Sequence, residues 1–147
     1  MGIVIDANDK SIFGFINGLL PHTVGYGDTD SKLDDDGIYD HTVWTQTIRE
    51  DHEGDVGIFQ INEGEDNHLM FQTIREANMQ VVVNCVNGNI VEAMEYLRAL
   101  YENIKSSSGN DYVSLFDYKL TNISPVGKHS SGLQWCVLNI LLKYVNK

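Results

Sequence analysis

The residues whose types and spacing invite chemistry in this chain are carboxylates. Asp28-Thr29-Asp30 and Asp34-Asp35-Asp36-Gly37 crowd acids together with a glycine to turn the loop, which is what a hard cation such as calcium requires. The spacing fails that requirement. Counted from Asp28, the fifth and sixth positions are Lys32 and Leu33, where a calcium-binding loop needs an oxygen ligand and a glycine. Counted from Asp34, the fifth position is Ile38 and no glutamate stands twelfth. The expectation is a solvated acidic loop, with a divalent site on it only as an opportunistic property.

Other chemistries fare no better. The five histidines, His22, His41, His52, His68 and His129, form no i, i+4 pair on a helix and no zinc spacing with the cysteines. His41 beside Asp40, and His52 between Asp51 and Glu53, read as acid–imidazole neighbours in an acidic loop. Gly25-Tyr26-Gly27 has no strand before it and no helix after it, so it is not a phosphate cradle, and there is no Gly-x-Ser-x-Gly elbow. Paired carboxylates occur where no apolar run would raise a pKa for acid–base work. No catalytic, cofactor-binding or metal-ligating residues are expected. Cys85 and Cys136 lie in apolar runs and read as buried reduced thiols, with a disulfide between them left open.

The carboxylates are informative as charge. The chain has 147 residues and a formal net charge of −11, which argues against neutralising nucleic-acid phosphates or anionic lipid. Residues 28–66 hold 13 acids opposed only by Lys32 and Arg49, so this block equals the whole net charge and the rest is neutral. The length fits one domain, residues 1–147. The N-terminal Met-Gly-Ile-Val-Ile-Asp reads as no signal peptide, and no stretch reaches the roughly 18 apolar residues of a membrane span. A soluble protein made in the cytoplasm, with no membrane partner, is the expectation.

The elements that must carry this block follow from periodicity. Ile12, Phe15, Ile16 and Leu19 predict a short helix capped by Asp9 and stopped by Pro21. Residues 22–55 read as a long acidic connection anchored by Val43, Trp44 and Ile48, of a length that is usually functional or mobile, with ordering against a partner as one option. Val56 to Asn62 reads as a strand ended by a turn over 63–67, and His68–Glu76 with Asn78–Val86 as one or two more. The run Val81-Val82-Val83 marks a central strand covered on both sides. Asn89 with Glu92 caps a helix whose apolar stripe runs from Ile90 through Ile104. Tyr112–Ile123 predicts a strand, 125–132 a turn-rich link, and Leu133–Val145 a final strand. Tyr96, Tyr101, Tyr112, Phe116 and Tyr118 are assigned to core packing in preference to an aromatic interaction surface, and Trp135 to core or edge packing. The fold class is α+β: an N-terminal helix, an antiparallel meander sheet, one long helix packed across it and a C-terminal β-hairpin. Gln46-Thr47-Ile48-Arg49-Glu50 recurs as Gln72-Thr73-Ile74-Arg75-Glu76, an echo read as coincidence.

This order of elements resembles the tail terminator proteins of long-tailed bacteriophages, also called tail completion or minor capsid proteins. The resemblance covers residues 56–146. It is carried by Val56-Gly57-Ile58-Phe59-Gln60-Ile61-Asn62-Glu63-Gly64, by Met79 to Asn89 running into Val91–Leu97, and by Ile123-Ser124-Pro125-Val126-Gly127-Lys128 followed by Leu133–Ile140. The resemblance implies a non-enzymatic virion protein at the head–tail interface. Its homo-oligomer would be a hexameric ring that caps the tail tube protein, meets the head connector or stopper protein, and lets DNA pass without specific binding. The 22–55 connection departs from the compact forms of that family. Under this reading the acidic block either lines the lumen and repels phosphate or pairs with a basic partner face. The interface candidates are Asp34, Asp35, Asp36, Tyr39, Trp44, Glu63, Glu65 and Asp66. Two competing expectations come from other classes. One is a small acidic inhibitor, a toxin-immunity protein or DNA mimic that binds a basic protein; the other is a small metal-dependent hydrolase using the aspartate loop and histidines.

Overall fold

A computed structural model describes residues 10–23, 25–27, 48–69 and 72–147, together with the backbone of Val4–Ile5 and Val43–Trp44; for 65–69 and 72 only the backbone is described. Helix α1 spans Ile12–Asn17. Its N-cap is Ser11, whose extended backbone lets the hydroxyl accept from the Phe13 N–H at 3.2 Å. That places the cap two residues later than predicted, and Asp9 itself lies outside the described residues. Helix α2 spans Ile90–Lys105 with Asn89 as its cap, accepting from Glu92 N–H at 3.0 Å, as its sequence requires. Lys105 in the last turn complements the dipole. The stripe Ala93, Tyr96, Leu97, Leu100 and Ile104 is buried.

The strands are β1 (Val4–Ile5), β2 (Val43–Trp44), β3 (Val56–Leu69), β4 (Gln72–Asn84), β5 (Val113–Lys128) and β6 (Gln134–Asn146). They form a sheet in the order β1-β2-β3-β4-β6-β5. The last four are antiparallel neighbours, and only β2 runs parallel to its neighbour β3 among the described strands. The α+β class therefore holds, with α2 over β4, β5 and β6, and β5–β6 as the C-terminal hairpin.

Three boundaries differ from the sequence reading, each for the same reason. No turn occurs at 63–67; β3 runs on to Leu69, and β4 is one strand where two were allowed. β5 continues through the expected link to Lys128. Polar residues that read as turn chemistry are held extended by cross-strand partners instead. Asn78 Nδ2 donates to Asn62 Oδ1 at 2.7 Å, and Arg75 bonds Glu63 at 3.1 Å. Pro125 is tolerated because β5 is an edge strand. The repeated pentamer has no common structure: Thr73–Glu76 lie in β4, whereas Ile48–Glu50 lie outside any strand.

Register slips at Gln60/Asn62 and Glu65/Asn67 in β3, and at Leu115/Asp117, Leu120/Asn122 and Pro125/Gly127 in β5. The extra residues, Ile61, Asp66, Phe116, Thr121 and Val126, recur every five positions along each strand. Ile61, Phe116 and Val126 are thereby turned to solvent. Tyr112, Phe116 and Tyr118 are exposed, which corrects their assignment to the core, whereas Tyr96 is buried and Tyr101 half-buried.

One core joins both helices to one face of the sheet, through Phe15, Ile16, Ile58, Val81, Val83, Leu97, Leu100, Ile104, Leu138 and Ile140. Val82, on the opposite face of β4, is equally buried, so the central strand is covered on both sides as its composition required. Cys85 and Cys136 are free and buried among these residues. Desolvation pushes the Cys136 thiol up to about 12. It also lifts the Tyr26 and Tyr96 phenols well above their ordinary range, and burial with the neighbouring Glu63 pushes Tyr144 up to about 12.

Two outcomes follow. Leu97→Ala is expected to lower unfolding free energy by about 2–5 kcal/mol, read by denaturant melts. Each raised phenol or thiol favours folding fully below its unfolded pKa. That contribution fades as pH climbs from about 9–10, where the unfolded chain ionises, toward about 12. The share of tyrosinate absorbance that belongs to Tyr26, Tyr96 and Tyr144, assigned by Tyr→Phe variants, should therefore appear together with loss of helix signal; its appearance in a still folded protein would contradict this burial.

Candidate functional site

Charge and hydrogen-bond donors meet at the end of β4. Asn84 is the one carboxamide in the run Val81-Val82-Val83-Asn84-Cys85, and it is fully buried, so each of its polar atoms needs a partner. Its Nδ2 donates to the Arg49 carbonyl at 2.7 Å and to the His52 carbonyl at 2.8 Å. With both amide protons used, Oδ1 must accept, so His129 donates through Nε2–H at 2.8 Å. The His129 ring stacks on Trp135 with centroids 5.0 Å apart. The backbone of Asn84 is used as well: its N–H donates to Asp55 O, and its carbonyl accepts from Gly54 N–H.

These bonds fasten residues 48–55 across the sheet end. Arg49 grips Asp55 with two parallel contacts of 2.7 Å, Nε to Oδ2 and Nη2 to Oδ1. Asp55 is 3% exposed, so the pair neutralises a carboxylate that burial would otherwise penalise. Asn87 N–H donates to Glu53 Oε1 at 3.0 Å, and Ser130 Oγ donates to Glu50 Oε2 at 2.9 Å. Ser131 Oγ donates to the Glu50 carbonyl, tying the β5–β6 turn to the same segment. His52 Nδ1 lies 2.7 Å from Asp51 Oδ1, which lowers the Asp51 pKa.

A second segment of the connection lies beneath the first. Gly27 N–H donates to Gly54 O at 2.8 Å. At Gly54 φ is +77° and a Cβ would overlap the Gly25 carbonyl oxygen, so only glycine allows the two segments to cross. Tyr26 is buried and stacks on Tyr96 of α2 at 4.9 Å. The described parts of the 22–55 connection, residues 25–27 and 48–55, are thus bonded to the chain's own scaffold.

The net effect is a surface on which Glu50, Asp51 and Glu53 are exposed, fixed in place from below. Of the sequence candidates, Glu63 belongs to a different place: its Oε1 accepts from Arg75 at 3.1 Å and from the Tyr144 hydroxyl at 3.1 Å, at the base of the β3–β4 ribbon. Glu65 and Asp66 lie farther along β3, and Trp44 is in β2, their side chains outside the described residues. Asp34, Asp35, Asp36 and Tyr39 lie outside them altogether. Among the described residues, no group of three or more His, Cys, Asp or Glu is placed to hold a metal ion, and no helix is long and apolar enough to cross a membrane. Sequence reasoning missed Asn84, Arg49, Asp55 and His129. The available signal was a lone amide inside an apolar strand and a lone arginine inside an acidic run.

No protein-family model matches the chain, and no curated protein matches it.

The clamp makes an ordered prediction. Asn84→Ala strands two carbonyls and an imidazole N–H, and should cost about 2–4 kcal/mol in a denaturant melt. Asn84→Asp should cost more at neutral pH, because a carboxylate would face two carbonyl oxygens. Part of that extra loss should return on acidification, when the carboxyl regains a proton to donate. Equal stability of the two variants at every pH would refute the assigned bonding.

Proposed function

We propose that this protein is a non-enzymatic structural subunit of a phage tail, a tail terminator that forms a ring over the tail tube and lets DNA pass without binding it. The observation that carries this reading is the fixed acidic surface: Glu50, Asp51 and Glu53 are exposed on a segment that Asn84 holds through the Arg49 and His52 carbonyls, Asn87 through Glu53 and Ser130 through Glu50, at one end of a sheet whose remaining sequence is close to neutral. Carboxylates in fixed positions repel phosphate and favour sliding over sticking, and the same surface can orient a basic neighbour. The order helix, hairpin, helix, hairpin supports the reading at the level of architecture.

The test is mass in solution, by light scattering, with and without tail-tube protein. A ring, or a monomer that becomes a ring on the tube, is the expected result. A chain that stays monomeric with the tube protein would overturn the proposal, and a tight one-to-one complex with a basic toxin or nuclease would replace it with the acidic-inhibitor reading. In the assembled ring, Glu50→Gln, Asp51→Asn and Glu53→Gln together should leave mass unchanged and increase DNA retention at low salt.

A further inference from the structure

The chain contains two Asn-Gly pairs, Asn17-Gly18 and Asn87-Gly88, and the fold treats them in opposite ways. Asn-Gly is the pair most prone to spontaneous deamidation, because glycine leaves its own backbone nitrogen unhindered as the attacking group. Asn17 is the last residue of α1 and is 2% exposed. Gly18 has helical φ of −67°, and its N–H is committed to the Gly14 carbonyl at 2.9 Å. The nitrogen that would attack is therefore locked in a helix end.

Asn87 and Gly88 occupy the centre of a tight turn between β4 and α2. Both have positive φ, +53° and +68°, and the turn is closed by Asn89 N–H donating to Val86 O at 3.0 Å, the pattern of a type I′ turn. Both residues are exposed, and a Cβ built on Gly88 would meet no atom within 4 Å. Among the described residues, neither the Asn87 carboxamide nor the Gly88 N–H has a hydrogen-bond partner. Bringing the Gly88 nitrogen to the Asn87 side chain requires the turn to open, at the cost of the exposed Asn89 N–H to Val86 O hydrogen bond that closes it.

We propose that Asn87 is a deamidation site and that its conversion loosens residues 48–55 from the scaffold. The Gly88 backbone nitrogen gives up its proton and attacks Asn87 Cγ. The N–Cγ bond closes a succinimide as the Cγ–Nδ2 bond breaks, and ammonia leaves carrying that proton. Water then opens the ring at either carbonyl, giving aspartate or isoaspartate. Either product adds a negative charge to the residue whose N–H holds Glu53 at 3.0 Å. Isoaspartate also routes the backbone through an extra methylene, which displaces the 86–89 turn and the Asn89 cap of α2. The tether between Glu53 and the turn is then lost while the Asn84 bonds remain.

The experiment is to age the intact protein in mildly alkaline buffer, digest it and map masses. The expected result is the mass gain of amide-to-acid exchange confined to the peptide holding Asn87, with isoaspartate confirmed by methyltransferase labelling. The Asn17 peptide serves as an internal control and should keep its starting mass. Asn87→Gln, whose longer side chain closes a ring poorly, should abolish the change. Hydrogen exchange on the aged protein should quicken at amides of 48–55. An unchanged Asn87 peptide, or equal gain at Asn17, overturns the site; conversion with unchanged exchange at 48–55 overturns its effect on the clamp.

Discussion

The carboxamide of Asn84 joins the acidic part of this chain to its neutral scaffold, and most of the arrangement at that end of the sheet follows from its burial. An amide enclosed at the end of a central strand must find partners for two protons and an oxygen. The Arg49 and His52 carbonyls and the His129 ring supply them. Once 48–55 is drawn over Asn84, Asp55 is carried into the interior, and Arg49 must follow with both nitrogens to offset its charge. The same placement brings Gly54 against the 25–27 backbone, which in turn positions Tyr26 beside Tyr96 in the core. A polar group thus sets the position of an aromatic stack several residues away.

The other constraint is the regular slippage of the two long outer strands. Extra residues every five positions in β3 and β5 increase local twist, and in a sheet covered by α2 on one face this curvature lets long strands wrap the helix. They also break the ladder that an incoming strand would need. With Pro125, Lys119 and Lys128 on β5, the edge is blunted against strand addition in several of the ways natural sheets use. Under the ring proposal, subunits would therefore meet through side chains such as Phe116 and Val126 rather than by extending one another's sheet.

The sequence made the helices and inner strands legible wherever periodicity and caps agreed. Asn89 and Glu92 announced α2, and the valine run announced a central strand, because both signals are local and strong. The misreadings fell where a tertiary partner overrode local chemistry. Glu63-Gly64-Glu65-Asp66-Asn67 has turn composition, yet Arg75 of β4 and Tyr144 of β6 bond Glu63, and Asn78 bonds Asn62 just before it, so the strand continues. The link read over 125–132 has turn composition too, yet its first part, Pro125 to Lys128, is strand because β6 pairs with it. The candidate site was half-legible: the acidic block was plain in the composition, but its clamp depends on Asn84 and His129, 45 residues apart. No spacing rule connects them.

What holds the acidic surface also explains how it keeps its charge. Crowding Glu50, Asp51, Glu53 and Asp55 into six residues costs self-repulsion, which basic side chains could remove only by cancelling the field. The fold instead sets Arg49 on the buried member, Asp55, and secures two of the exposed ones, Glu50 and Glu53, with neutral donors: the Ser130 hydroxyl on Glu50 and the Asn87 backbone N–H on Glu53. Neutral donors stabilise a carboxylate in place without discharging it. Attachment and charge are thereby separated. The amide and hydroxyl bonds that dock the segment are little affected by ionic strength, whereas the field of its exposed carboxylates is screened within about 8–10 Å in ordinary salt. Salt would therefore tune what this surface repels or attracts while leaving its shape intact.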